Sequence, residues 1–320
     1  MANNRLAIDF GNSFMNVVGE NKKGTVTKAC IQSTYSILTS TVIKRKNTVE
    51  CNGITLQLGH MSGTEFTNVN KVDREYLEHQ ILWAAHATMG SGVHYIKLAA
   101  GLPIKDFTGK LGKKDEWKAR LESIKIIKGT VNGQEVEVHN ISPVTICAEG
   151  YGALAVLTDL VPKTKQTIII DIGMKTTDYA IVEYDVEDDM VVPVKYGTIQ
   201  DGLDSIYRPV IEELSEYGLT YTATTLDNLY HKGESITLEN GDEFPVVEKV
   251  LERKQECITL LNAIQNDGVG KLSPYNKLMI GGGAKVIEDI NATDDLTNLI
   301  DVDTETKYYA NAEGYFEALA

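Results

Sequence analysis

Short apolar runs divided by polar turns mark most of this chain, and their spacing predicts a mixed α/β protein. The clearest pair of runs, Ile168–Ile170 and Ala180–Val182, is largely β-branched. The turn that separates them carries Asp171, Gly173, Thr176, Thr177 and Asp178. β-branched runs on both sides of a glycine-containing turn are typical of a β-hairpin. We therefore predict a hairpin over Thr167 to Tyr184, with polar groups at its tip.

The chemistry of that tip has two interpretations. Backbone N–H groups, a glycine, hydroxyls and a carboxylate around one small volume suit a phosphate with its Mg²⁺. Asp and Gly are also ordinary hairpin residues, so a turn that binds nothing is the alternative.

The same design recurs at the N-terminus. Leu6 to Ile8 is apolar, Asp9 follows, and a second apolar stretch begins at Phe14. The turn between them contains Gly11, Asn12 and Ser13. Two such hairpins, about half the chain apart, predict two similar halves that face each other across a cleft. Each half would present one carboxylate and one phosphate loop.

Periodicity also places the other main elements. Trp83 and Trp117 are predicted to be core or interface residues. Helices are predicted over Arg74–Thr88, Asp115–Ser123, Val246–Gln265 and Thr304–Leu319, and strands over Tyr95–Leu102, Val191–Ile199 and Lys277–Ile280.

The segment Ile141 to Leu160 is predicted to turn at Ser142-Pro143 and to continue as a helix rich in alanine and leucine. Glu149 lies within it, next to small residues. A helix packed beside the cleft would aim Glu149 at a water molecule. A solvated glutamate near a helix start is the equally open alternative.

Glycines mark two further junctions. Gly202 precedes a predicted helix that runs through Leu214, and such a helix start is a possible phosphate contact. Gly281, Gly282 and Gly283 follow a predicted strand and precede a helix that starts at Lys285. Three glycines there allow a flat ring or a phosphate to lie directly on the backbone.

Composition narrows the class of function. The 45 acidic and 31 basic residues give a formal net charge of −14, which argues against direct binding to nucleic acid. The four cysteines are scattered and predict neither a zinc site nor a disulfide framework, so a reducing cytoplasm is expected. We expect no membrane span or secretion signal, because the sequence has no apolar stretch of the required length.

The order of these motifs resembles the actin, Hsp70 and sugar-kinase superfamily across nearly the whole chain. Asp9-Phe10-Gly11-Asn12-Ser13, then Glu149, then Asp171-Ile172-Gly173 with Thr176, then Gly281 to Gly283 carry the resemblance. The opening Ala-Ile-Asp-Phe-Gly-Asn-Ser is most similar to ParM-type plasmid-segregation actins. No Walker A motif is present in the sequence, which disfavours a P-loop enzyme.

The resemblance implies an actin-like ATPase fold. Two duplicated ribonuclease-H-like lobes would surround a nucleotide cleft, and each would carry a small insertion subdomain. Residues 1–160 would form the first lobe, with an insertion at about 25–72. Residues 161–303 would form the second, with an insertion at about 206–270. Residues 304–320 would form a helix that packs on the first lobe.

The resemblance also implies the site residues. Asp9 and Asp171 would hold Mg²⁺ largely through its waters, and Glu149 would position the attacking water. The β- and γ-phosphates of ATP or GTP would contact Gly11, Asn12, Ser13, Gly173 and Thr176, with Gly202 as a further candidate. Gly281, Gly282 and Gly283 would bed the base and ribose. Met174 and Lys175 depart from the pattern: they crowd the second loop, or Lys175 itself neutralises phosphate.

Three functions are compatible with this superfamily. The favoured one is a filament protein that hydrolyses ATP or GTP, assembles head to tail, and segregates plasmid DNA through a DNA-binding adaptor bound to a centromere. A small-molecule kinase of the sugar type is the alternative, although no sugar-binding motif is evident. A chaperone-like ATPase is disfavoured, because no peptide-binding domain is predicted in these residues.

Overall fold

A computed structural model describes residues 4–39, 45–60, 63–66, 71–109, 113–140, 143–290 and 296–320. The chain divides into two compact units. The first comprises Met1–Leu157 and Tyr309–Ala320, and the second comprises Thr158–Tyr308. The limits of the predicted insertion subdomains remain predictions.

The first unit combines a large sheet with a few helices. Its described strands are β1 Asn4–Phe10, β2 Phe14–Glu20, β3 Val26–Gln32, β4 Thr34–Ile37, β5 Thr48–Cys51, β6 Ile54–Leu58, β7 Thr64–Glu65, β8 Gly92–Leu102, β9 Ile126–Val131, β10 Gln134–Asn140 and β11 Thr145–Ala148. Its described helices are α1 Leu77–Met89, α2 Ile104–Thr108, α3 Lys113–Ser123 and α4 Leu154–Leu157, with a 3₁₀ turn at Lys71–Asp73.

Strand β1 lies in the interior of this sheet. It pairs with β2 in the antiparallel direction and with β8 in the parallel direction. The strand order in the described residues is β3-β2-β1-β8-β10-β9-β5-β6-β4-β7, and β11 pairs in parallel with the far end of β8. The predicted N-terminal hairpin is therefore confirmed, and it lies within the sheet.

Both faces of β1 are buried. Leu6, Ile8 and Phe10 belong to an apolar cluster that also contains residues of α1 and Trp117. Ala7 faces a second cluster with Tyr315. Trp83 and Trp117 are both buried, as predicted. Burial of such large apolar side chains is the main favourable contribution to folding.

The second unit repeats the hairpin design in a smaller sheet. Its described strands are β12 Thr167–Ile172, β13 Thr177–Asp185, β14 Met190–Ile199, β15 Ile236–Thr237, β16 Glu243–Phe244 and β17 Asn276–Ile280. Its described helices are α5 Leu203–Glu216, α6 Ala223–Lys232, α7 Val246–Leu251, α8 Lys254–Ile264 and α9 Ala284–Ile290; α10, Thr304–Glu317, begins in this unit and ends in the first.

The central strand of the second sheet is β12. It pairs with β13 in the antiparallel direction and with β17 in the parallel direction, in the order β14-β13-β12-β17. The predicted hairpin at Thr167 to Tyr184 is confirmed. So are the strand before Gly281 and the helix that follows Gly202.

The helix predicted to follow the turn at Ser142-Pro143 and to run to Leu160 is wrong for the residues before Leu154. Residues 141 and 142 lie outside the described residues, and Thr145–Ala148 forms strand β11. The helical structure begins only at Leu154. The reason is tertiary, because Thr145 and Ile146 complete a parallel ladder with Ala99 and Ala100 of β8.

The single long helix predicted over Val246 to Gln265 is also wrong. It is divided into α7 and α8, because Arg253 has a ψ of 45° and leaves the helical region. The apolar stripe continues across the break, since Val250, Cys257 and Leu261 all lie in the same core cluster. The hydrophobic periodicity of the sequence therefore predicted the buried face correctly, but it did not predict the break between α7 and α8.

Close packing of α10 against the turn at Gly152 generates a testable prediction. A Cβ atom at Gly314 would lie 2.0 Å from the Gly152 carbonyl oxygen. Gly314→Ala should therefore destabilise the first unit by about 1–3 kcal/mol, which lowers the melting temperature by several degrees. Circular dichroism during heating measures this. Glu317→Ala, at an exposed position of the same helix, is the control; equal melting temperatures for both variants would contradict the prediction.

Candidate functional site

The first candidate loop joins β1 to β2. Asp9 lies near the end of β1, opposite Asn16, and its side chain is 15% exposed. Gly11 begins the loop, where a Cβ atom would lie 2.3 Å from the Phe14 carbonyl oxygen. Only glycine therefore fits at this position. Ser13 is buried and Asn12 is half-buried.

Buried hydrogen bonds hold this loop from one side. Arg74 donates to the carbonyl oxygens of Phe10 at 3.0 Å and of Gly11 at 3.3 Å. Ser33 donates its hydroxyl to the Gly11 carbonyl at 2.6 Å and its N–H to the Ser13 carbonyl at 2.7 Å. In a trans peptide the N–H points opposite to the carbonyl. The N–H groups of Gly11 and Asn12 therefore point away from Arg74, as an anion-binding loop requires.

Arg74 itself is almost completely buried, at 1% exposure. Burial lowers its pKa to about 9, while the nearby carboxylates of Asp9 and Glu149 act in the opposite direction. The guanidinium therefore stays charged at neutral pH. A cation behind the loop adds to the favourable potential for a bound anion.

Beside this loop, Lys71 connects two carboxylates. Its ammonium donates a hydrogen bond to Oε1 of Glu149 and lies 3.6 Å from Oδ1 of Asp9. Lys71 and Glu149 are both buried, at 5% and 8% exposure. Burial lowers the pKa of Lys71, but the carboxylates of Glu149 and Asp9 more than offset this and leave that pKa above its ordinary value. The lysine is therefore a cation at neutral pH.

Glu149 lies in a turn directly after β11, where its N–H donates to the Leu102 carbonyl at 2.8 Å. Gly150 follows with a φ of 70°, and its N–H donates to Oδ1 of Asn311 at 2.9 Å. The interpretation of Glu149 as a solvated helix residue is wrong, because its side chain is buried and no helix contains it. Its role in orienting water remains a prediction.

The second candidate loop joins β12 to β13. The N–H of Gly173 donates to the Thr176 carbonyl at 2.9 Å, which closes a tight turn. Met174 is buried in the core of the second unit. Lys175 donates to Oδ1 of Asp204 at 2.9 Å. The two unusual residues of this loop thus have separate structural roles, one in the core and one in an ion pair.

The start of α5 packs against this second loop. The N–H of Leu203 donates to the Gly173 carbonyl at 3.1 Å, and the N–H of Asp204 donates to the Met174 carbonyl at 2.9 Å. A Cβ atom at Gly202 would lie 2.4 Å from the same Gly173 oxygen. Gly202 therefore permits the close approach of α5 to the second loop. The contact of Gly202 with phosphate remains a prediction.

The glycine turn after β17 lies against the end of β12. A Cβ atom at Gly281 would lie 2.4 Å from Oδ1 of Asp171, and Gly281 has a φ of 83°. The N–H of Gly283 donates to the Ile172 carbonyl at 2.9 Å. Strand pairing aligns Asp171 with Ile280, the residue before the turn. The second unit thus brings together Asp171, the second loop and the three glycines.

Each unit carries one carboxylate near the end of a strand, Asp9 in the first unit and Asp171 in the second, and carboxylate oxygens are ligands that suit Mg²⁺. Mg²⁺ prefers oxygen ligands, keeps several waters and is commonly held by one or two carboxylates together with substrate phosphates. Asp9 and Asp171 supply such oxygens beside loops that contain backbone N–H groups. Across the described ranges no group of three or more His, Cys, Asp or Glu side chains is placed to hold a metal.

Sequence reasoning missed Lys71 and Arg74 as site residues. Arg74 was predicted as the first residue of a helix, whereas α1 begins at Leu77. Lys71 lies in a short 3₁₀ turn and carries no motif. Neither residue has a local signal, because both reach the site only through the fold of the first unit.

Comparisons with known proteins agree with this geometry. Residues 7–152 match the family described as "Actin like proteins N terminal domain". No curated protein sequence matches the chain. Within the described residues, no helix is both long enough and apolar enough to cross a membrane.

Solved structures match over nearly the full length. A non-polymerisable quadruple mutant of pCBH ParM is 19% identical, with a TM-score of 0.78 and 99% coverage of both chains. A ParM in a 15-stranded filament from Clostridium botulinum is 20% identical, with a TM-score of 0.72 and 99% coverage of both. An archaeal actin homologue in complex with ADP is 17% identical, with a TM-score of 0.70 and 98% coverage of both.

The chain therefore has the actin-like ATPase fold, as the order of its motifs predicted. More narrowly, residues 7–152 match the N-terminal domain of actin-like proteins, and the structural neighbours of the chain are ParM and other bacterial and archaeal actin homologues.

The ion pair of Lys175 and Asp204 generates a prediction at this site. Burial raises the pKa of Asp204, but Lys175 and then Arg208 outweigh it, so that pKa lies below its ordinary value. Lys175→Ala should raise the pKa of Asp204, as measured by a carboxyl-carbon NMR titration. Arg208→Ala is the control and should have a smaller effect, because Arg208 is 63% exposed and its interaction is more screened. A lowered Asp204 pKa in Lys175→Ala would contradict the assignment.

Proposed function

We propose that this protein is a filament-forming actin-like protein that binds and hydrolyses ATP or GTP and segregates plasmid DNA through an adaptor. The observation that carries the proposal is the repeated hairpin, in which a carboxylate is the second-last residue of an interior strand and a glycine-containing loop follows. Asp9 with Gly11 and Asp171 with Gly173 have this arrangement. The fold shared with ParM proteins supports it.

In this proposal the phosphates bind to the two loops. Gly11, Asn12 and Ser13 contribute from the first loop, and Gly173 and Thr176 from the second. The base and ribose lie against the backbone of Gly281, Gly282 and Gly283. The ADP complex of the archaeal actin homologue supports a nucleotide as ligand. Lys175 reaches phosphate only if it leaves Asp204.

Hydrolysis then depends mainly on placement and charge neutralisation. Glu149 accepts a hydrogen bond from the attacking water, while Asp9 and Asp171 are the residues that would hold Mg²⁺. The ion would supply charge neutralisation on the phosphate oxygens. Arg74 keeps the first loop in the conformation that presents its N–H groups.

The distribution of charge favours head-to-tail self-association. The first unit contains 18 basic and 16 acidic residues, a net charge of +2, whereas the second contains 13 basic and 29 acidic residues, a net charge of −16. The second units of two copies repel each other because both are strongly acidic. The second unit of one copy and the first unit of another do not repel. Contacts between unlike surfaces do not close on themselves unless they form a ring, so they generate open strands. The ParM filament from Clostridium botulinum supports a filament as the product of assembly.

Plasmid segregation needs a link to DNA. Because the chain is acidic, we propose that a separate DNA-binding adaptor provides this link in the cytoplasm, where the cysteines stay reduced. All four cysteines are free in the structure.

Assembly tests the proposal directly. With Mg-ATP or Mg-GTP, the purified protein at micromolar concentration should scatter light, sediment, and form filaments visible by electron microscopy; without nucleotide it should not. Because salt screens the attraction between local basic surfaces of the first unit and the acidic second unit, the concentration needed for assembly should rise with ionic strength. A chain that stays monomeric with both nucleotides, or whose nucleoside diphosphate release is stimulated by a sugar, would contradict the filament function.

Nucleotide binding is tested at the glycine turn. Gly281→Ala would place a methyl group against the Asp171 carboxylate and strain a backbone of positive φ. A fluorescent ADP should therefore bind at least tenfold more weakly. Gly133→Ala is the matched control, because Gly133 also has a positive φ but nothing lies within 4 Å of the added Cβ. Equal loss of affinity in both variants would show that the glycine turn is not part of the site.

A further inference from the structure

Lys71 is a buried cation of the first unit whose single ammonium forms ion pairs with two carboxylates, one within β1 and one directly after β11. Asp9 belongs to β1, and Glu149 directly follows β11. Both carboxylates converge on Lys71, which donates to Glu149 and lies 3.6 Å from Asp9.

This arrangement is not needed to anchor the backbone around Glu149. The Glu149 N–H is already bonded to Leu102, and the following turn is bonded to Asn311. The ion pair instead fixes the side chain of Glu149. A buried ion pair is weak evidence for stability, since desolvation offsets much of the attraction. The position of its carboxylate is therefore the property that Lys71 controls.

Arg74, the neighbouring cation, has a different set of partners. Its guanidinium donates to the Phe10 and Gly11 carbonyls and to Oε1 of Gln80 at 2.7 Å. Arg74 thus supports the first loop, while Lys71 contacts the carboxylates. The two cations have separable roles that mutation can distinguish.

We propose that Lys71 is a positioning residue for nucleotide hydrolysis, which holds Oε1 of Glu149 so that the other carboxylate oxygen accepts a hydrogen bond from the attacking water. The inference rests on the proposed function. In the reaction the water oxygen bonds to the terminal phosphorus. The bond from that phosphorus to the bridging oxygen breaks with its electron pair on the departing nucleoside diphosphate, and the water proton passes to the released phosphate.

Lys71 also gives Asp9 a cation that belongs to the protein. Because the ammonium lies beside Asp9 as well as Glu149, it keeps the two carboxylates from repelling one another. Removal of the charge leaves Glu149 free to turn away from the water position. A displacement of about 1 Å in a catalytic group can lower a rate about 100-fold.

Lys71→Met and Lys71→Arg test the role of the charge. Lys71→Met should lower kcat for hydrolysis by about 100-fold. The affinity of the same variant for a fluorescent ADP should change by less than about threefold. Lys71→Arg should recover at least tenfold of the lost rate, because it restores a cation. Filaments of Lys71→Met formed with ATP or GTP should persist longer than wild-type filaments, since hydrolysis weakens the polymer in the proposed function.

Lys28→Met is the matched control in the same unit. Lys28 pairs with Glu313 at 2.7 Å and lies over the Tyr309 ring. This variant also loses an ion pair, so its melting temperature shows the general effect of that loss. It should hydrolyse nucleotide at the wild-type rate.

A double-mutant cycle tests whether Lys71 acts through Glu149. Glu149→Gln alone should lower single-turnover hydrolysis by about 100-fold or more. Lys71→Met should then have little further effect in the Glu149→Gln background. Additive losses would overturn the positioning role, because they would show that Lys71 acts independently of Glu149.

Two other results would contradict the role of Lys71 without contradicting the proposed function. One is hydrolysis by Lys71→Met at the wild-type rate. The other is a joint loss of kcat, nucleotide affinity and melting temperature without recovery in Lys71→Arg, which would show a purely structural role. A wild-type protein that neither binds nor hydrolyses nucleotide would instead contradict the proposed function.

Discussion

Strand pairing on both sides of a central strand is the constraint on which the candidate site depends. β1 is held between β2 and β8, and β12 is held between β13 and β17. A residue at the end of such a strand cannot shift without breaking two ladders of hydrogen bonds. Asp9 and Asp171 are therefore held at fixed positions in their own sheets.

Glycine supplies the second constraint, because backbone must approach backbone closely beside each carboxylate. At Gly11 a side chain would collide with the Phe14 carbonyl, and at Gly281 it would collide with Asp171 itself. Gly202 is equally restricted, but by the packing of α5 on the second loop. The glycines thus serve two purposes: they shape the loops, and they leave the backbone accessible to a flat or anionic ligand.

The hairpins and the glycine turn could be predicted from sequence because their signals are local. Alternation, β-branched residues and turn residues all lie within a few positions of one another. The setting of Glu149 could not be predicted, because β11 exists only through its pairing with β8, which is distant in sequence. The break at Arg253 escaped detection because the apolar stripe continues through it. Lys71 had no signal, since a lone lysine becomes informative only when its carboxylate partners are known.

The acidic excess of the chain is confined to its second unit. A net charge of −14 suggests a uniformly acidic protein, but the second unit alone carries −16 and the first carries +2. The electrostatic argument against direct DNA binding therefore applies fully to the second unit and much less to the first. If copies associate as proposed, a contact between unlike units would join a strongly negative unit to a nearly neutral one. Attraction in such a contact would come from local basic surfaces of the first unit, so its strength would depend on a few lysines and arginines there. Net charge would contribute mainly the repulsion between the second units of two copies.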